Sequence, residues 1–169
     1  MPIHAHEVTV ALLLRGLHNL KTLLDKGEAY AAQHKLDPRE LVGARLAADM
    51  YDLGGQAHWA AEGARLAGAR LVGTLTSPVA AEPTTFAALH QEIDATVAYL
   101  GALDRDEVEA GLERPITLDH RGGSTSMDGS HYVLQMVLPS FFFHTTTAYA
   151  ILRHKGVPLT KGDFMGALG

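Results

Sequence analysis

Cysteine is absent from the 169 residues. That excludes a disulfide framework, a thiolate zinc site and a cysteine nucleophile. Long apolar runs are missing as well. The stretch at residues 8–14 is interrupted by Thr9 and ended by Arg15. It is too short to span a bilayer and has no basic segment ahead of it, so a soluble cytoplasmic protein with no membrane partner is expected. Basic residues are not in excess. The chain carries 14 Lys and Arg against 19 Asp and Glu, a formal charge of −5. Such a field repels phosphate, and no nucleic-acid partner is expected. No strand–GxGxxG–helix arrangement supports nucleotide binding, and no nucleophile elbow supports Ser-His-Asp chemistry. Glycine is scattered, and repeats and low-complexity tracts are lacking, which leaves one domain over residues 1–169. A chain of this length buries roughly two thirds of its unfolded surface. Histidine, by contrast, is abundant: protonating all 10 would reverse the sign of the net charge, so solubility should change near pH 6.

Four long helical segments are expected. In residues 7–34, Val10, Leu13, Leu17, Leu20 and Leu24 recur at three- and four-residue spacing, one face of a helix, with Gly27 weakening the last third. Asp37, Pro38 and Glu40 read as N-cap, first-turn proline and third-position acid of a short helix. Residues 50–72 form a helix with a stripe of mostly small side chains, among them Ala57, Ala60, Ala64 and Ala67, which lets a neighbour approach closely. Residues 73–83 are a connector punctuated by Pro78 and Pro83. Thr84 or Thr85 caps a third long helix through residue 103, and Asp104 with Glu107 opens a short one to about residue 110. Residues 116–119 and 124–127 flank a Gly-Gly turn and predict a β-hairpin. Ser130 caps the last long helix, residues 131–155, kinked at Pro139 and stopped by Gly156 and Pro158. Four helices with one apolar stripe each imply an all-α four-helix bundle with short extra helices and a small hairpin before the last helix.

The strongest chemical candidate is His144. On a helical wheel it lies with Val137, Phe141, Ala148 and Ile151 on the core-facing stripe, so its imidazole must find a partner. Ser140 and Thr147 share that face. Two readings stay open: a core His satisfied by a neighbour, or a ligand-binding or acid/base residue at the bottom of a cleft. Asp49, Asp52 and Gln56 stand at i, i+3 and i+7 and share one face. One Asp reads as an N-cap. Alternatively Gln56 and one Asp face His144 across the bundle. Arg15 interrupts the apolar face of the first helix and would want a carboxylate partner. His58 lies about 200° from Gln56 and reads as a surface or interface His. A small apolar ligand between helices near Phe141, Phe142, His144, Asp49 and Gln56 is the partner these residues suggest.

The ending SFFFHTTTAYAILRHKGVPLTKGDF, with LLRGLHNLKTLLDKGEA near the start and RLAADMYDLGGQ in the middle, resembles an uncharacterised domain-of-unknown-function family. That family is similar to the DinB/YfiT-like helical bundles. The resemblance implies an up-down-down-up bundle, often homodimeric. It also implies, as in several such relatives, a divalent metal held by one His on the second long helix and a HxxxH pair on the fourth. His144 matches a fourth-helix position and His58 lies near the second-helix one. The neighbours of His144 at i−4 and i+4, Ser140 and Ala148, leave the triad incomplete. A homodimer is expected from the resemblance and from the small-residue helix, which would pack against a second copy. Either a small-molecule enzyme or degenerate metalloenzyme, or a non-catalytic ligand-binding or structural dimer, follows.

Overall fold

The leucine spacing of the first segment is realised as a π-helical turn, Glu7–Ala11, continuous with α1, Leu12–His34. Leu13, Leu17, Leu20 and Leu24 are at most 1% exposed, and burial of each contributes about 1.5–3 kcal/mol relative to exposure. The computed structural model describes residues 4–74 and 83–167, so residues 75–82 of the expected connector, Pro78 among them, lie outside the described residues. Gly27 does not end α1. A Cβ there would come within 2.8 Å of Leu152, so the glycine trades helix propensity for close approach of the last long helix.

Asp37 caps α2, Pro38–Val42, by accepting from Arg39 N, with Pro38 in the first turn. The second long helix, α3, runs Leu53–Leu71 and starts later than the apolar spacing suggests. Asp52 is its N-cap, accepting from Gly55 N at 2.8 Å, and also pairs with Arg45 at 3.2 Å. A backbone bridge between Arg45 and Asp52 holds the preceding loop. Asp49 therefore sits in a turn ahead of the helix and is exposed, and the three-residue face proposed for Asp49, Asp52 and Gln56 does not form. Thr85 caps α4, Phe86–Gly101, and Asp104 caps α5, Arg105–Gly111.

Strands β1, Pro115–His120, and β2, Gly123–Asp128, form the expected antiparallel hairpin with Ile116 opposite Met127 and His120 opposite Gly123. The last long segment opens with α6, Gly129–Tyr132, passes through a π-helical turn, Val133–Val137, and continues as α7, Leu138–His154. Its cap is Asp128 rather than Ser130. The Asp128 carboxylate accepts from His131 N at 2.8 Å and from Ser130 Oγ at 2.7 Å, and these bonds hold its pKa down at about 2. The irregularity expected at Pro139 takes the form of the wide turn just before it, which accommodates the missing N–H. A further helix, α8, Lys161–Met165, follows, with a Thr160–Asp163 capping box.

Around the bundle, α1 packs on α4 and α7, and α3 packs on the same two, so α1 and α3 lie diagonally. Of the 19 residues of α3, 15 are buried, which means that this helix is covered on nearly every side rather than along one stripe. Its small-residue face is closed by the chain's own α4 and α7 and is not left for a second copy. Among the described residues no helix is long and apolar enough to cross a membrane.

The hairpin end is fixed by backbone contact. A Cβ on Gly129 would collide with the Gly111 carbonyl, whereas one on Gly63 would meet nothing within 4 Å. Gly129→Ala should therefore lower the unfolding free energy by about 1–3 kcal/mol, and Gly63→Ala should raise it by about 0.5–1 kcal/mol, both read from urea denaturation.

Candidate functional site

The polar side chains on α3 are where its burial has chemical consequences, because each must find a partner on another element. Gln56 is 1% exposed. Its Nε2 donates to the Tyr51 carbonyl at 3.2 Å, and its Oε1 faces His144 Nδ1 at 2.8 Å. The inward-pointing ring on the last long helix thus meets a polar group from another helix. Since the Gln56 amide gives its N–H groups away, Oε1 is the acceptor and His144 Nδ1 must carry the proton. The lone pair is then left on Nε2, which has no hydrogen-bond partner among the described residues. His144 is half-buried, and burial pushes its ring below the ordinary histidine pKa. It is therefore neutral at pH 7.

The remaining expected site residues do not converge on this ring. Gln56 and Asp49 line one groove of about 530 Å³ with Arg45, Met50, Tyr51 and Phe143. Asp52 is used as a helix cap. Ser140 and Phe141 line a different cavity, between α3, α7 and the hairpin. Thr147 Oγ1 donates to the Phe143 carbonyl at 2.7 Å within its own helix, so it does not serve a pocket. Among the described residues Arg15 finds no carboxylate: its Nη2 donates to the Met165 carbonyl at 2.9 Å, at the end of α8. With Phe142 it lines a third pocket of about 190 Å³ between α1, α7 and α8.

His58 is the clearest correction. It is 1% exposed rather than on the surface, with Nδ1 at 2.7 Å from Glu92 Oε1 on α4. The angle from Gln56 is as expected from the wheel, but the opposite face of α3 looks onto α4, not onto water. Burial raises the Glu92 carboxyl above its usual range, with His58 opposing the shift. Glu62, also 1% exposed, pairs with Arg65 at 2.8 Å. Sequence reasoning missed this buried charged cluster. Its signal was the recurrence of His58, Glu62 and Arg65 at i, i+4 and i+7 on the α3 face that turns toward α4.

This geometry also tests the metal that the resemblance implies. His58 turns toward Glu92 and His144 toward Gln56, on opposite faces of α3. One turn either side of His144 stand Ser140 and the fully buried Ala148. Among the described residues no three His, Asp or Glu side chains are grouped so as to hold a metal ion. The donors do not fit a three-ligand metal site, and no step is derived through one.

Residues 5–165 match the model of a family described as a domain of unknown function, DUF1993. Among solved structures, a DinB family member protein from Shewanella denitrificans is similar, at 33% identity over 96% of this chain and 92% of that one, with a TM-score of 0.88. No curated protein matches.

Two measurements check the site. Gln56→Leu should cost about 1–3 kcal/mol, because it strands the His144 Nδ1–H and the Tyr51 carbonyl. The depressed His144 pKa means that the unfolded chain takes up the proton first. Stability that is present above pH 6.5 is lost as pH falls through the folded-state pKa. His144→Phe should remove that share, so its unfolding free energy should fall less than wild type between pH 7.5 and pH 5.

Proposed function

The chain belongs to the DUF1993 family and has the DinB-like bundle fold, and on that premise we propose that it binds a small molecule through the Gln56–His144 pair. The observation that carries this reading is the fixed polarity of the pair. Gln56 holds the proton on His144 Nδ1 and leaves Nε2 as a neutral, unoccupied acceptor. Gln56, the partner of the ring, lines the groove although His144 itself does not, and the groove has room for a modest ligand and presents Tyr51 and Phe143 to it. A ligand suited to these groups carries one O–H or N–H donor for Nε2 and an apolar body for the two rings. A neutral imidazole is also what a general base requires, so proton abstraction from the bound group is the reaction the pair offers. The half-buried state of the ring favours a site over a satisfied core residue.

A homodimer, as the resemblance implies, would need a face other than the small-residue side of α3. Leu134, Met136, Phe142 and Phe143 along the last long segment are among the exposed apolar side chains that such a face could use, and light scattering reads the oligomeric state directly.

Phenol and toluene test the ligand chemistry, since they differ in the hydroxyl. Saturation-transfer NMR should show phenol binding at least tenfold more tightly than toluene to the wild-type protein, with the preference lost in His144→Phe. Equal binding of the two compounds, or equal phenol binding to both proteins, would remove the pair as a recognition element.

A further inference from the structure

A second cavity, of about 420 Å³, lies between the hairpin, α3, α6 and α7. It shares no lining residue with the Gln56 groove. Its walls are mostly apolar: Leu118 and Met127 come from the two strands, Phe141 from α7 and Trp59 from α3, while the exposed Asp119 and His120 line it at the hairpin turn. Two features set it apart from a packing defect. First, Arg70 lines it, half-buried, and spends one donor, Nη1, on the Tyr132 hydroxyl at 2.7 Å. Among the described residues no carboxylate lies within ion-pair reach of Arg70, whereas the half-buried Lys21 and Arg65 each have one. Second, the Trp59 indole N–H is buried and has no acceptor among the described residues. Buried donors without acceptors are uncommon in native structures and cost about 1–3 kcal/mol each.

A guanidinium with free N–H groups pairs best with a planar carboxylate, which it grips with two parallel hydrogen bonds. The hydrocarbon walls suit an apolar body, and a volume of this size falls in the range of small-molecule sites. We propose that this cavity binds a small apolar or aromatic carboxylate, with its carboxylate on Arg70, its body against Trp59, Phe141 and Met127, and the Trp59 N–H as a further donor. The Tyr132 hydroxyl, bonded to Nη1, positions the guanidinium, and the cation lies 5.6 Å from the centre of the Tyr132 ring.

Trp59 is the sole tryptophan of the chain, so its fluorescence, excited at the red edge, reports on this cavity alone. Titration with phenylacetate should change that emission saturably. Phenylacetamide, the neutral analogue of nearly equal shape, should bind at least tenfold more weakly, and so should phenylacetate to Arg70→Gln. The comparison of acid with amide needs no variant, so it decides the matter even where Arg70→Gln folds poorly. No saturable change with phenylacetate, or equal affinity for acid and amide, overturns the proposal. Equal affinity of well-folded Arg70→Gln and wild type for phenylacetate does so too.

Discussion

Burial of α3 on almost all sides is the constraint from which the rest follows. A helix of mostly alanine and glycine can sit at this depth because its neighbours approach closely, but any polar side chain on it is then cut off from water. An unpaired buried polar group costs more than a satisfied one returns, about 1–3 against about 1 kcal/mol. The structure accordingly gives most of these groups a specific partner, the Trp59 N–H excepted. Gln56 is matched by Tyr51 and His144, His58 by Glu92, and Glu62 by Arg65. The bundle is thus tied across its centre by polar pairs, with hydrocarbon filling the space between them.

Those pairs also decide what chemistry the chain can carry. Two histidines that a metal site would bring together are turned to opposite faces of α3, each engaged by a different residue. What remains at His144 is a neutral ring with Nδ1 committed to Gln56 and Nε2 open. The same economy is missing at the hairpin end. There, among the described residues, Arg70 has no countercharge and the Trp59 N–H no acceptor, and both residues line a cavity with largely hydrocarbon walls.

Much of the architecture was legible along the chain. The three- and four-residue leucine spacing of α1, the Asp37–Pro38 opening of α2, the Thr85 and Asp104 caps and the hairpin around Gly122–Gly123 are local signals, and the structure keeps them. The helix at Lys161–Met165 was equally local, announced by Thr160 and Asp163, but the preceding Gly156 and Pro158 mask it as a simple stop. Asp128 rather than Ser130 caps the final segment, because both side chains are suitable and only the hairpin's end point selects between them. The Gln56–His144 contact was legible as one of two open readings, since an imidazole on an apolar stripe needs a partner. Which partner it meets depends on the rotation of α3 against α7.

Periodicity, caps and turn residues act within a few positions of one another, so the sequence alone determined the order and approximate limits of the long helices and the site of the hairpin. Packing distances act between segments far apart in the chain, and tertiary structure alone decided three things. It made α3 a buried axis instead of a half-exposed helix. It sent His58 inward to Glu92. It distributed Asp49, Ser140 and Arg15 among three separate pockets. A helical wheel gives the angle of a side chain about its own axis, whereas the environment at that angle is set by whichever helix the rest of the chain places there.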